Sequence, residues 1–110
     1  MTVRVTGDRN NNNGDFLTGD ALAARHYANN ATGLTFGHGR LWQNGGNNYL
    51  TLTVNSSDNL FATLQQGSNN SIMGTIGGGT GNQAVVAQLG NTNVANFTQN
   101  GTGNVLGVTQ

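Results

Sequence analysis

Gln, Gly and Asn recur along much of this chain in units of 11 residues. A repeat that short buries its apolar side chains only by stacking on copies of itself. Gln43, Gln65, Gln88, Gln99 and Gln110 hold a slot whose series runs 43, 54, 65, 76, 88, 99, 110, with Val54 and Ile76 as substitutes. One extra residue enters between 76 and 88, within Gly77-Gly78-Gly79-Thr80-Gly81. Two positions after the slots stand Gly45, Ser56, Gly67, Gly78, Gly90 and Gly101, and each unit then reaches an Asn, at Asn48, Asn59, Asn70, Asn82, Asn93 and Asn104. The consensus is Q-x-G-x2-N-x5.

Between each Asn and the next slot, residues two apart share a face if the segment is a strand. Leu50, Leu52, Phe61, Ile72, Val86, Phe97, Leu106 and Val108 fall on the face that also carries Asn and Gln. The alternate positions, such as Tyr49, Thr51, Thr53 and Thr98, are mostly polar or small. Leu60, Ala62 and Leu64 turn apolar surface outward in one unit, which predicts a lateral contact. The glycines at 45, 67, 78, 90 and 101 supply the positive φ of a tight arc. Two units then make one flattened coil of about 22 residues, with coils about 4.8 Å apart in parallel register. The expected fold is all-β, a flattened parallel β-solenoid over residues 37–110, stacked end to end as a cross-β fibre. In that register Gln43, Asn48, Asn59, Gln65, Asn70, Asn82, Gln88, Asn93, Gln99, Asn104 and Gln110 form inward amide ladders, each amide satisfied by its counterpart one coil away.

Composition favours the same reading. Gly (18) and Asn (19) make up a third of the 110 residues, yet Pro, Lys and Glu are absent, so strand breakers and dense charge are missing. The charged residues are Arg4, Arg9, Arg25, Arg40, Asp8, Asp15, Asp20 and Asp58, and the 52 residues from Asn59 onward carry no formal charge. A soluble monomer normally keeps surface charge against association. A net charge of zero also lacks the electrostatic footprint of a nucleic-acid binder. Without cysteine there is neither a disulfide framework nor a thiolate metal site. No apolar run approaches the ~18 residues of a membrane span. The start MTVRVTGD lacks a secretory apolar stretch, so the chain is either cytosolic or already processed, and a processed, exported protein is the favoured expectation.

Residues 1–36 follow the period poorly, and they are expected to form degenerate rungs or a capping segment. Strands are predicted near Thr2 to Thr6, Phe16 to Thr18 and Leu34 to Phe36; a helix over Ala21 to Tyr27, capped by Asp20, is the competing reading. His26 and His38 are the only general-base candidates, with no nucleophile context beside them, so no enzyme activity and no cofactor are expected. Gly7-Asp8, Gly14-Asp15 and Gly19-Asp20, with Asn10 to Asn13 between, fit neither the EF-hand nor the nonapeptide calcium motif, and read as turns.

The segment from Asn82 to Gln99, NQAVVAQLGNTNVANFTQ, resembles the curlin repeat of bacterial curli subunits, S-x5-Q-x-G-x2-N-x5-Q, with Asn in place of the leading Ser. Residues 59–76 and 37–54 are similar, each without the final Gln. The resemblance implies a secreted subunit of a curli-like amyloid fibre in the biofilm matrix, with an adhesive role. Its partners would be further copies of itself head to tail, a nucleator and an outer-membrane secretion machinery. A soluble solenoid with an ice- or glycan-binding Thr surface, or a minor fibre nucleator, are the alternatives.

Overall fold

A computed structural model describes residues 1–12 and 14–110. Eight strands and one helix follow in the order β1 (Thr2–Thr6), α1 (Gly19–Thr32), β2 (Leu41–Asn44), β3 (Tyr49–Asn55), β4 (Leu60–Gln66), β5 (Ser71–Gly77), β6 (Gln83–Leu89), β7 (Val94–Asn100) and β8 (Val105–Thr109). Successive strands alternate between two four-stranded sheets, β1-β3-β5-β7 (sheet A) and β2-β4-β6-β8 (sheet B), with every pairing parallel. Parallel neighbours joined through a strand of the opposite sheet make a β-solenoid. Its coils pair β1 with β2, β3 with β4, β5 with β6 and β7 with β8. A full turn takes 22 residues from Gln43 to Gln65 and 23 from Gln65 to Gln88, the longer one spanning the Gly77–Gly81 insertion. The arcs repeat their backbone as well: Gly45, Gly67, Gly90 and Gly101 share φ of 109–120°, and Gly78 lies at 72°.

The N-terminal third matches expectation in the strand Thr2–Thr6 and in the competing helix, which extends past Ala21 to Tyr27 at both ends, and departs from it elsewhere. Thr2–Thr6 is a strand, paired with Thr51–Asn55. Phe16 to Thr18 and Leu34 to Phe36 are not strands, because every place in the first coil is already taken and these segments instead flank α1. Ala21, Ala24 and Ala28 are the helix's buried residues, a narrow stripe of the best helix former. Asp20 in the first turn complements the dipole, and left-handed Gly33 (φ 69°) donates its N–H to the Asn29 carbonyl to close the C-terminus. The N-cap is Thr18 rather than Asp20, and its N–H donates to Gln83 Oε1 of β6 at 2.7 Å.

Two cores result. Between the sheets, Leu50, Leu52, Phe61, Ile72 and Val86 are buried, whereas Phe97, Leu106 and Val108, on the last coil, are only half-buried. Outside sheet B, α1 and its flanking Leu17 and Phe36 cover Leu60, Ala62, Leu64, Val85 and Ala87. The outward apolar residues of β4, expected as a lateral contact, are thus buried within the chain. Gly107 of β8 lets the helix come close, since a Cβ there would overlap the Asp20 carbonyl oxygen. Gly107→Val is expected to push α1 off β8 at a cost of about 1–3 kcal/mol. Binding of a hydrophobic dye to the uncovered sheet, with the β signal in circular dichroism retained, is the readout. Unchanged dye binding would contradict the close packing.

Candidate functional site

The inward amides sit in three columns, each bonded in one direction along the stack. In the first, Asn59 donates both its backbone N–H and its Nδ2 to Asn10 Oδ1, each at 3.0 Å. Asn82 does the same to Asn59 Oδ1 at 3.1 Å, and Asn104 to Asn82 Oδ1 at 3.0 Å. In the opposite arcs, the N–H of Asn70 donates to Asn48 Oδ1 and that of Asn93 to Asn70 Oδ1, at 3.1 and 3.0 Å. The third column lies in sheet B, where Gln43 donates to Gln65, Gln65 to Gln88 and Gln88 to Gln110. Gln65 and Gln88 also donate to the Tyr49 and Ser71 carbonyls across the core, which ties the two sheets together. Asn59, Gln65, Asn82 and Gln88 are fully buried, so every one of these bonds satisfies a group that would otherwise cost about 1–3 kcal/mol.

Gln99 departs from the expected ladder. It stands in sheet A, in the column Val5, Val54, Ile76, Gln99, where no amide lies beneath it. Its Nε2 donates to the Gln83 carbonyl at 2.8 Å, and its buried Oε1 has no partner among the described residues.

Asn10 was missed by the periodic reading and heads the first ladder. The chain leaves the first coil just after it and returns just before β2. Asn11 Oδ1 accepts the Phe61 N–H and Gly39 donates its N–H to the Phe61 carbonyl, both at 2.8 Å, so exit and re-entry close over one residue of β4. Asn10 and Asn59 are therefore 49 positions apart rather than 22, an excess of 27 taken up by the segment that holds α1. The signal was present: Val5, Gly7 and Asn10 have the spacing of Val54, Ser56 and Asn59.

Every ladder runs out at both ends. On the last coil, Asn93 Oδ1 and Asn104 Oδ1 accept nothing from the described residues, and Gln110 Nε2 donates only to the Val94 carbonyl. On the first coil, the backbone N–H groups of Asn10 and Asn48 and the Oε1 of Gln43 have no partner among the described residues. The two ends are complementary: the last coil presents an acceptor at Asn104 and a donor at Gln110, and the first coil a donor at Asn10 and an acceptor at Gln43. Charge is placed as unevenly. Arg4, Asp8, Arg9 and Arg40 belong to the first coil and Asp58 to the second, where it pairs with Arg9 at 2.7 Å; the third and fourth coils carry none.

Comparison of the chain with family models, curated proteins and solved structures finds no significant match.

Among the described residues no group of three His, Asp or Glu converges, and no helix is long and apolar enough to cross a membrane. His26 is exposed on α1 and His38 half-buried before β2. Asn13, part of the run weighed for calcium, lies outside the described residues. The outward Thr53, Thr75 and Thr98 form one column on sheet A above Arg4, while the neighbouring column reads Thr2, Thr51, Met73, Asn96.

Proposed function

We propose that this chain is the structural subunit of an extracellular fibre of the curli type, and that it grows by stacking the last coil of one copy on the first coil of the next. The supporting observation is the complementarity of the ladder ends. In a continued stack, the N–H of Asn10 of an incoming copy meets Asn104 Oδ1. Gln110 Nε2 meets Gln43 Oε1, and Val3 and Leu41 cover the half-buried Phe97 and Val108. The contact joins two different surfaces and does not close, so it propagates. Unpaired strand edges that solenoids usually cap provide the backbone template. The curlin-like spacing supports the extracellular assignment.

Purified protein at micromolar concentration is expected to form thioflavin-positive filaments visible by negative stain; protein that stays monomeric and dye-negative would refute the reading. Replacing both Asn104 and Gln110 with Ala removes one interfacial acceptor and one interfacial donor, each worth about 1 kcal/mol or more. The concentration needed for growth should rise about tenfold or more, while the monomer keeps a cooperative urea transition. An unchanged growth threshold would count against the proposed contact.

The column of Thr53, Thr75 and Thr98 favours a second reading, a soluble module binding an ordered ligand. Met73 and Asn96 interrupt the neighbouring column, which leaves that surface with a single regular row.

A further inference from the structure

We infer that the outer face of sheet A is the seam through which two filaments of this protein pair, a step that rests on the end-to-end growth proposed above. Sheet B is covered on its outside by α1, whereas no described element covers sheet A. The outward positions of β3, β5 and β7 are Thr, Ser, Asn and Gly together with Tyr49, Met73 and Val94, which are 51%, 44% and 56% exposed. Three of the large apolar side chains that remain exposed therefore sit together on this one face. No charged residue stands among them; Arg4 of β1 is the sole charge on the face. A parallel face of repeated short side chains, uncharged over β3, β5 and β7, suits a dry sheet-to-sheet contact, since over those three strands it lacks the charges that keep soluble surfaces apart.

Area decides when the seam forms. Four rungs about 4.8 Å apart and strands of up to seven residues at about 3.3 Å each give a face of about 400 Å² per copy, about 800 Å² for a facing pair. A stable, specific interface needs at least about 1,200 Å². Two free monomers accordingly do not hold together through this face. Once copies are stacked end to end, each added subunit brings another contact of the same kind in fixed register, and the contacts act together. The occupant is a second filament of the same chain, and its docking depends on growth having begun.

The experiment compares the wild type with Thr75→Lys and, separately, Met73→Lys, both at exposed outward positions of β5. A single Lys per subunit on β5 repeats only every four rungs, about 19 Å, and stands two rungs or more, about 10 Å, from Arg4 of either copy, at or beyond the screening length of about 8–10 Å, so it leaves stacking along the filament intact. Freshly purified protein should sediment as monomer in all three cases. Wild-type filaments should carry two subunits per four rungs in mass-per-length measurements, and each variant one, half the mass, with seeded elongation rates within about twofold of wild type. Single wild-type filaments that elongate normally would overturn the seam alone, as would variants that remain paired. Wild-type protein that forms no filaments would remove the end-to-end growth and the seam with it. A lateral dimer of free monomers would contradict the area argument.

Discussion

Gly67→Ala is expected to abolish the folded solenoid. Gly67 has φ of 120°, outside the range that L side chains adopt readily, and a Cβ there would overlap the carbonyl oxygen of Gly90 in the arc stacked on it, with the carbonyl carbon 2.7 Å away. Neither arc can yield. Gly67 donates its N–H to the Asn44 carbonyl and Gly90 donates its own to the Gln66 carbonyl, both at 2.9 Å. Asn48 Nδ2 also donates to the Gly67 carbonyl at 2.8 Å. Moving the backbone apart breaks these bonds in two coils at once. Strain and overlap together should exceed about 4 kcal/mol, most of the stability of a domain of this size, which is about 5–15 kcal/mol. Loss of the cooperative urea transition and of the β signal in circular dichroism is the expected result. Gly46→Ala is the control: its φ is not positive and a Cβ there meets only Ser68 Oγ at 3.8 Å. A Gly67→Ala protein that unfolds like the control would show that the arcs are not stacked at this distance.

Asn82→Leu should be the most damaging change in the amide ladders. Asn82 is fully buried in the third turn of its column. Its Nδ2 donates to Asn59 Oδ1 and the Gly79 carbonyl, and its Oδ1 accepts the N–H and Nδ2 of Asn104. Leu has a similar reach but satisfies none of these groups, so donors and acceptors on both neighbouring coils lose partners. Losing several bonds among groups buried from water should cost about 3–5 kcal/mol. With a urea dependence of about 1–3 kcal/mol per molar, the midpoint should fall by about 2 M. A loss below about 1 kcal/mol would mean that the apolar core alone holds the coils in register.

The comparison with the sequence is uneven, for physical reasons. Strand alternation and the arcs were legible because burial and positive φ repeat with the coil, and both leave residue-type marks in every unit. The 11-residue slot hid a longer regularity. Successive slots lie on opposite sheets, so Gln43, Gln65, Gln88 and Gln110 belong to one column and Val5, Val54, Ile76 and Gln99 to another. The two apparent substitutes, Val54 and Ile76, were members of an apolar column, and Gln99 is the residue out of place. The helix was harder to see. Its contact stripe is alanine, which carries little hydrophobic contrast against Asn and Thr. The sign that something covers sheet B lay elsewhere, in the outward Leu60, Ala62, Leu64, Val85 and Ala87. Periodicity faded before Gly37 because the chain leaves the stack between Asn11 and Gly39, although the stack itself does not stop there.

That excursion bears on how such a protein can acquire new parts. Departure and return meet at Phe61, so the neighbouring coil contacts the same atoms whatever the chain does in between. Loop-closure entropy grows only slowly with length, by about 0.6 kcal/mol per doubling. A graft at this point is therefore nearly invisible to the ladders, and α1 is one such graft. In a polymer, each copy would present its insert at the same place, turning an otherwise featureless rod into a scaffold with evenly spaced attachment points along one side.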